Sequence, residues 1–181
     1  NLTSGLIAKE MGAPIAGFTA ATNSNRTIPD WIATGNYNAR PSVETLANAM
    51  DVGTPSNYER ISAIYNLEDV RKMFASYWTD NEGIVNAIKN CFDKTGYIID
   101  PHGAIGYQAW DDIKNGGMES LINGHKPDYT KPGLTANIPE WAGKVPSKES
   151  IALTLSKAAT LPLLFTTVIP FFSTVATPAE S

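Results

Sequence analysis

An α/β fold, with a mostly parallel sheet flanked by helices, is predicted by two hydrophobic patterns that alternate along the chain. Short apolar segments at 14–22, 97–100 and 119–124 are typical of strands. Segments with helical spacing separate them, and this alternation gives βαβ units and a mainly parallel sheet. A polar cluster follows each predicted strand, so we expect these clusters to meet at the carboxyl ends of the strands.

The first predicted helix covers 2–11, because Leu2, Leu6 and Ile7 recur at helical spacing and Gly12 suits the cap that ends it. Similar spacing or terminal signals predict six further helices, which cover 28–35, 41–50, a stretch from Ser56 to about residue 65, 67–74, 80–96 and 100–117.

Three of these helices have recognisable start signals. Ser42 is the expected cap of helix 41–50. Ser56 and Glu59 form the capping-box pattern, in which the serine caps the helix and the glutamate returns a hydrogen bond. Asp100 followed by Pro101 is a strong start, since the carboxylate caps and proline takes the first helical position.

Composition excludes several classes of function. A net charge of −4 over 181 residues argues against nucleic-acid or membrane-surface binding. With one cysteine and two histidines the chain predicts neither a disulfide framework nor a metal site, and it has none of the common nucleophile, Walker or metal motifs. Segment 158–179 is uncharged, but Pro162 and Pro170 interrupt it, so we predict a packed tail and no membrane span.

Several polar residues have both a structural and a functional interpretation. The start of the first helix favours an anion, although Thr3 or Ser4 suffices as an ordinary cap. The segment "ATNSNRT" is either a turn or an amide-rich ligand loop, with Arg26 as a charge partner. Arg60 suits capture of a carboxylate or phosphate but is equally an ordinary surface residue, and His102 suits either acid–base chemistry or a structural role.

Three motifs, taken in order, resemble a known family. "AKEMGAPIAGFTAATNSN", "TGNYNARPSVETLANAMDVGTPSNYER" and "GYIIDPHGAIGYQA" are similar to the C-terminal part of threonine synthase of the bacterial and fungal kind, over roughly residues 1–125. The resemblance implies the fold type II pyridoxal-phosphate architecture. It also implies conversion of O-phospho-L-homoserine and water to L-threonine and phosphate by a cytoplasmic biosynthetic lyase.

The resemblance also implies roles for particular residues. Asn1, just after the family's phosphate loop, and Asn123, near the cofactor ring, are expected to bind pyridoxal 5'-phosphate. Ser56, Asn57 and Arg60 are expected to contact the substrate or assist domain closure. The lysine that forms the Schiff base lies upstream in the family, so no catalytic residue is assigned here, no metal is implied, and the fragment alone is expected to be inactive.

Two departures from the family pattern keep alternatives open. Where the family has Thr-Ala-His-Pro this chain has "NGHK", which keeps only His125, and we recognise no motif of the family beyond about residue 130. We therefore expect residues 1–130 to be the C-terminal part of the cofactor-binding domain, partnered by the N-terminal part of the same enzyme, and 131–181 to be divergent. The alternatives are a related phospholyase that acts on another amino phosphate, and a non-catalytic binding domain.

Overall fold

The computed structural model describes residues 2–113 and 131–134. Helices alternate with strands along this part of the chain, which confirms the α/β class. A single turn of 3-10 helix lies at Asn48–Met50. The other elements are α1 (Leu2–Glu10), β1 (Phe18–Thr22), α2 (Thr27–Thr34), α3 (Asn57–Ile64), α4 (Leu67–Met73), β2 (Phe74–Trp78), α5 (Asn81–Thr95), α6 (Pro101–Asp112) and β3 (Gly133–Leu134).

The sheet of the described residues has three strands in the order β1-β2-β3. β1 and β2 are parallel, with Phe18 opposite Phe74 and Thr22 opposite Trp78. β3 joins the other edge of β2 antiparallel, with Tyr77 opposite Leu134. The sheet of the described residues is therefore mixed and not mostly parallel, and its one parallel pair joins β1 to a strand that the sequence did not predict.

The two faces of β1 contribute to two hydrophobic clusters because successive side chains of a strand point to opposite sides. Phe18 and Ala20 pack with residues of α1, α2, α3 and α4. Ala21 packs instead with residues of α5 and α6. The rings of Phe18 and Phe74 stack with centroids 5.0 Å apart. α1 approaches closely because Gly5 has no side chain, since a Cβ there would lie 2.9 Å from Phe18 Cε1.

The strand expected at 97–100 is wrong. This segment has no regular structure and joins α5 to α6, and the side chains of Tyr97 and Ile98 are exposed. The strand that pairs with β1 is β2, which follows α4 without any turn signal, so its apolar run merged with the helical pattern before it. The strand expected at 14–22 begins only at Phe18.

The helix expected at 41–50 is also wrong, apart from its last turn, which is 3-10. Backbone groups of this segment bond to side chains instead of to each other. Val43 N donates to Asn25 Oδ1 at 2.8 Å, and Val43 O accepts from Asn25 Nδ2 at 2.8 Å. Ser42 caps nothing here, because its Oγ accepts from Gly53 N at 3.1 Å. Tertiary hydrogen bonds override the local helical preference.

The predicted helix boundaries were correct where a backbone signal set them. Gly35 and Gly96 end α2 and α5 in the left-handed conformation, with φ of 83° and 73°. Asp100 caps α6 by accepting from His102 N and Gly103 N. The capping box at α3 is wrong, because Ser56 makes no side-chain cap bond and its backbone is already helical.

Some sequence predictions lie outside the described residues. They are the strand at 119–124, the end of the last helix at 116–117, and the uncharged segment 158–179. Within residues 2–113 and 131–134, no helix has both the length and the apolar character that a membrane crossing requires.

Phe18→Ala should destabilise the protein by about 3–5 kcal/mol, because it empties a fully buried site against the Phe74 ring. Phe92→Ala is the matched control, since this ring is 50% exposed, and it should cost about 1 kcal/mol or less. Urea denaturation of the full chain measures both values. Equal losses would show that the stacked pair does not anchor the core.

Candidate active site

The carboxyl end of β1 lies beside a network of buried amides and one carboxylate. Asp51 Oδ1 accepts from Asn23 Nδ2 at 2.8 Å and from Asn25 Nδ2 at 3.1 Å. Thr45 supplies its backbone N–H to Oδ2 at 2.9 Å and its hydroxyl to Oδ1 at 2.8 Å. The carboxylate is thus surrounded by donors, and it fixes the irregular segment 43–51 against β1.

These contacts decide between the two interpretations of "ATNSNRT". Asn23 is fully buried, and Asn25 Nδ2 bonds Val43 O, Asn23 Oδ1 and Asp51. Both amides therefore position the protein itself. Arg26 does the same, because its Nε lies 3.4 Å from Asp30 Oδ2 and its guanidinium lies 4.4 Å from the centroid of the Trp78 ring.

The first turns of α1 and α3 meet through one side chain. Thr3 N lies 3.4 Å and Thr3 Oγ1 3.0 Å from Asn57 Oδ1. Because a backbone N–H can only donate, the Asn57 atom that faces Thr3 must be the carbonyl oxygen. Asn57 therefore caps α1 from 54 residues away along the chain, and its Nδ2 remains as a donor at the same junction.

Aromatic contacts hold the start of α3 in this position. Tyr58 stacks on Tyr37 with ring centroids 3.6 Å apart and meets the edge of Trp31 at 5.0 Å. Burial raises the pKa of Tyr37, and the nearby Glu59 carboxylate and Tyr58 add to this rise. Asn57, the neighbour of Tyr58, is therefore placed by packing as well as by its own hydrogen bonds.

Ser56 and Arg60 form a pair on the exposed side of α3. Arg60 Nη1 donates to Ser56 Oγ at 2.7 Å and to Ser56 O at 3.2 Å. This leaves the other N–H groups of the guanidinium without a partner among the described residues. The N-terminus of α1, the Asn57 amide and Arg60 together favour an anion, and α1 has no acidic residue in its first turn. The first turn of α3 does contain an acidic residue, Glu59, which offsets the positive end of that helix.

His102, in the first turn of α6, contacts the same irregular segment. Its Nε2 lies 3.1 Å from Ala49 N and its Nδ1 lies 2.9 Å from Asp100 Oδ1. Two of the three polar clusters expected to meet, 22–26 and 100–103, therefore both contact segment 43–51. The third cluster, with Asn123 and His125, lies outside the described residues, as does Asn1.

The sequence prediction missed Asp51 and Thr45. The one sequence feature that pointed to this network was the pair of asparagines after a buried strand, because buried amides need hydrogen-bond partners. It did not identify those partners, which lie 20 or more residues further along the chain. Among the described residues, no group of three side chains is arranged to hold a metal ion.

Comparisons with known proteins point to one kind of enzyme. Threonine synthase of Haemophilus influenzae is 40% identical over 114 residues, which cover 62% of this chain and 26% of that protein. Threonine synthase of Buchnera aphidicola subsp. Acyrthosiphon pisum is 33% identical over 179 residues, or 98% of this chain and 40% of that protein. The crystal structure of threonine synthase from Escherichia coli matches with a TM-score of 0.51 and 28% identity, covering 90% of this chain and 37% of that one. No family model matches the chain.

The similar structures and the α/β arrangement define the fold as that of fold type II pyridoxal-phosphate enzymes. Within this class the chain is a relative of the threonine synthases, as its motifs indicated. It spans between 26% and 40% of the length of the two relatives described above.

Asp51→Ala should cost about 2–3 kcal/mol of stability, because it leaves the Asn23 and Asn25 amides and the Thr45 N–H short of an acceptor. Asp93→Ala, which removes an exposed carboxylate of α5, should change stability by about 0.5 kcal/mol or less. Thermal and urea denaturation of the full chain give both numbers. A loss at Asp51 no larger than at Asp93 would contradict the anchoring role.

Proposed function

We propose that this chain is the C-terminal part of a pyridoxal-phosphate-dependent threonine synthase that acts in the cytoplasm. The whole enzyme would convert O-phospho-L-homoserine and water to L-threonine and phosphate. The junction of α1 and α3 supports this most directly, because cofactor and substrate both carry a phosphate and the junction favours anions. In this proposal residues 1–130 complete the cofactor-binding domain and 131–181 are a divergent segment.

The residues of α1 fit the phosphate of pyridoxal 5'-phosphate. The first turn has no acidic residue, and its N–H groups and dipole favour a negative charge. At the end of β1, the hydroxyl oxygen of Thr22 is buried and has no hydrogen-bond partner among the described residues. A polar group of the bound cofactor would supply that partner. When bound, the cofactor supplies an electron sink that acidifies protons of the amino-acid substrate. We assign its phosphate to Asn1 and its ring to Asn123.

The α3 residues fit the phosphate of the substrate. Arg60 is exposed and uses one edge of its guanidinium for Ser56, so the other edge suits a bidentate bond to a phosphate. Asn57 Nδ2 adds a neutral donor close by. Ser56 then has a positioning role through its contact with Arg60, in addition to any contact with the substrate.

The lysine that bonds the cofactor is expected in the N-terminal part of the same enzyme. Three lysines of the described chain have partners elsewhere: Lys9 donates to Ile15 O, Lys72 pairs with Asp69, and Lys94 pairs with Asp111. Because the family resemblance puts the Schiff-base lysine upstream of this chain, we expect activity only when the chain is joined to the rest of the enzyme.

Incubating the full-length protein with pyridoxal 5'-phosphate and O-phospho-L-homoserine tests the proposal. We expect equal amounts of threonine and inorganic phosphate, measured by amino-acid analysis and a phosphate assay. Release of phosphate with a keto acid and ammonia, from this or another amino phosphate, would identify the phospholyase alternative instead. No turnover and no cofactor binding would favour the non-catalytic binding domain.

Arg60→Ala should raise KM for O-phospho-L-homoserine about 10- to 100-fold, the loss expected for a charge-assisted bond to phosphate. Lys72→Ala is the matched control, because this exposed lysine pairs with Asp69 on α4, and its KM should stay unchanged. Steady-state kinetics of the full-length enzyme measure both. An unchanged KM in the Arg60 variant would exclude this arginine from the substrate site.

A further inference from the structure

We propose that His102 is a positioning residue, which holds the start of α3 in place through segment 48–53 as a neutral imidazole with its proton on Nδ1. This role is separate from the reaction and concerns how the candidate active site is held. It rests on the proposed function only where activity is the readout. We base the proposal on two hydrogen bonds of the imidazole, one at each ring nitrogen.

The first bond fixes the state of Nε2. Ala49 N lies 3.1 Å from Nε2 with its hydrogen directed at the ring. A backbone amide can only donate, so Nε2 must offer a lone pair and cannot carry a proton. A ring protonated at both nitrogens, or at Nε2 alone, would direct one N–H group at another.

The second bond places the proton on the opposite nitrogen. Nδ1 lies 2.9 Å from Asp100 Oδ1, and a carboxylate accepts, so Nδ1 donates. The same carboxylate oxygen also accepts from His102 N at 2.9 Å and from Gly103 N at 3.3 Å. Asp100 thus stays a carboxylate that caps α6 and orients the ring at the same time.

The effect of this bond extends along a short, fixed stretch of backbone. Ala49 lies in the 3-10 turn Asn48–Met50, whose next residue is Asp51, the centre of the amide network. Two residues later, both backbone groups of Gly53 are hydrogen-bonded. Its N–H donates to Ser42 Oγ at 3.1 Å, and its carbonyl oxygen accepts from Thr27 Oγ1 at 2.9 Å.

The stretch then leads into Asn57, the cap of α1. Gly53 is closely packed, because a Cβ there would lie 1.9 Å from Arg40 O, and Pro55 after it is buried. This stretch therefore has little freedom to absorb a displacement at Ala49. Loss of the His102 bond should loosen the turn and shift the start of α3, where Asn57 and Arg60 lie.

The test compares His102→Gln with His102→Leu in the full-length protein. Glutamine places an amide oxygen near the position of Nε2 and keeps an acceptor for Ala49 N–H, whereas leucine has similar bulk and no acceptor. Hydrogen exchange at residues 48–50 should accelerate about tenfold in the leucine variant and much less in the glutamine variant, as expected for one lost hydrogen bond. Equal exchange in both variants and the wild type would overturn the proposal.

A second measurement needs no substitution, so it remains decisive if the leucine variant fails to fold. Nitrogen-15 NMR of the wild-type protein at neutral pH should show His102 with a protonated Nδ1 and an unprotonated Nε2. A proton on Nε2 would overturn the assignment.

Kinetics then connect the residue to the site. The leucine variant should lose kcat/KM for O-phospho-L-homoserine and the glutamine variant should recover most of it, whereas equal loss in both would deny the positioning role. If the wild-type protein does not turn over this substrate, the proposed function fails. The exchange and NMR results still decide on His102 in that case.

Discussion

The carboxylate of Asp51 is the contact on which the architecture around the candidate site depends. The chain from the end of α2 to the start of α3 has only a single 3-10 turn, so its backbone groups need partners from elsewhere. Asp51, together with Asn23 and Asn25, supplies them and anchors the segment to the end of β1. Because buried polar groups are costly when unpaired, this network gives the irregular segment one defined position.

That defined position explains why two helices can meet at their N-termini. Two positive dipole ends repel each other unless a negative or polar group lies between them. Here the oxygen of Asn57 accepts from Thr3, while Tyr58 packs between Tyr37 and Trp31. The oxygen of one neutral amide therefore holds the N-termini of the two helices together.

Several features set by interactions between residues close in sequence were predicted correctly, and features set by contacts between distant residues were not. Signals confined to a few residues were sufficient for Gly35, Gly96 and the Asp100 cap, because a left-handed backbone or a capped turn is a local property. The helix expected at 41–50 failed because its partners, Asn25 and Asp51, act through tertiary bonds. β2 was missed because no turn separates it from α4.

The candidate site shows the same division between local signals and tertiary contacts. The family motifs led us to expect Asn57 and Arg60 at the substrate site, but the local pattern did not reveal that Asn57 also caps α1 or that Arg60 pairs with Ser56. The most direct test of the substrate-site assignment is a crystal structure of the full-length protein soaked with O-phospho-L-homoserine. It should show the substrate phosphate within hydrogen-bond distance of the Arg60 guanidinium and Asn57 Nδ2. A phosphate bound elsewhere, with both side chains still directed as they are here, would contradict the assignment of the junction as the substrate site.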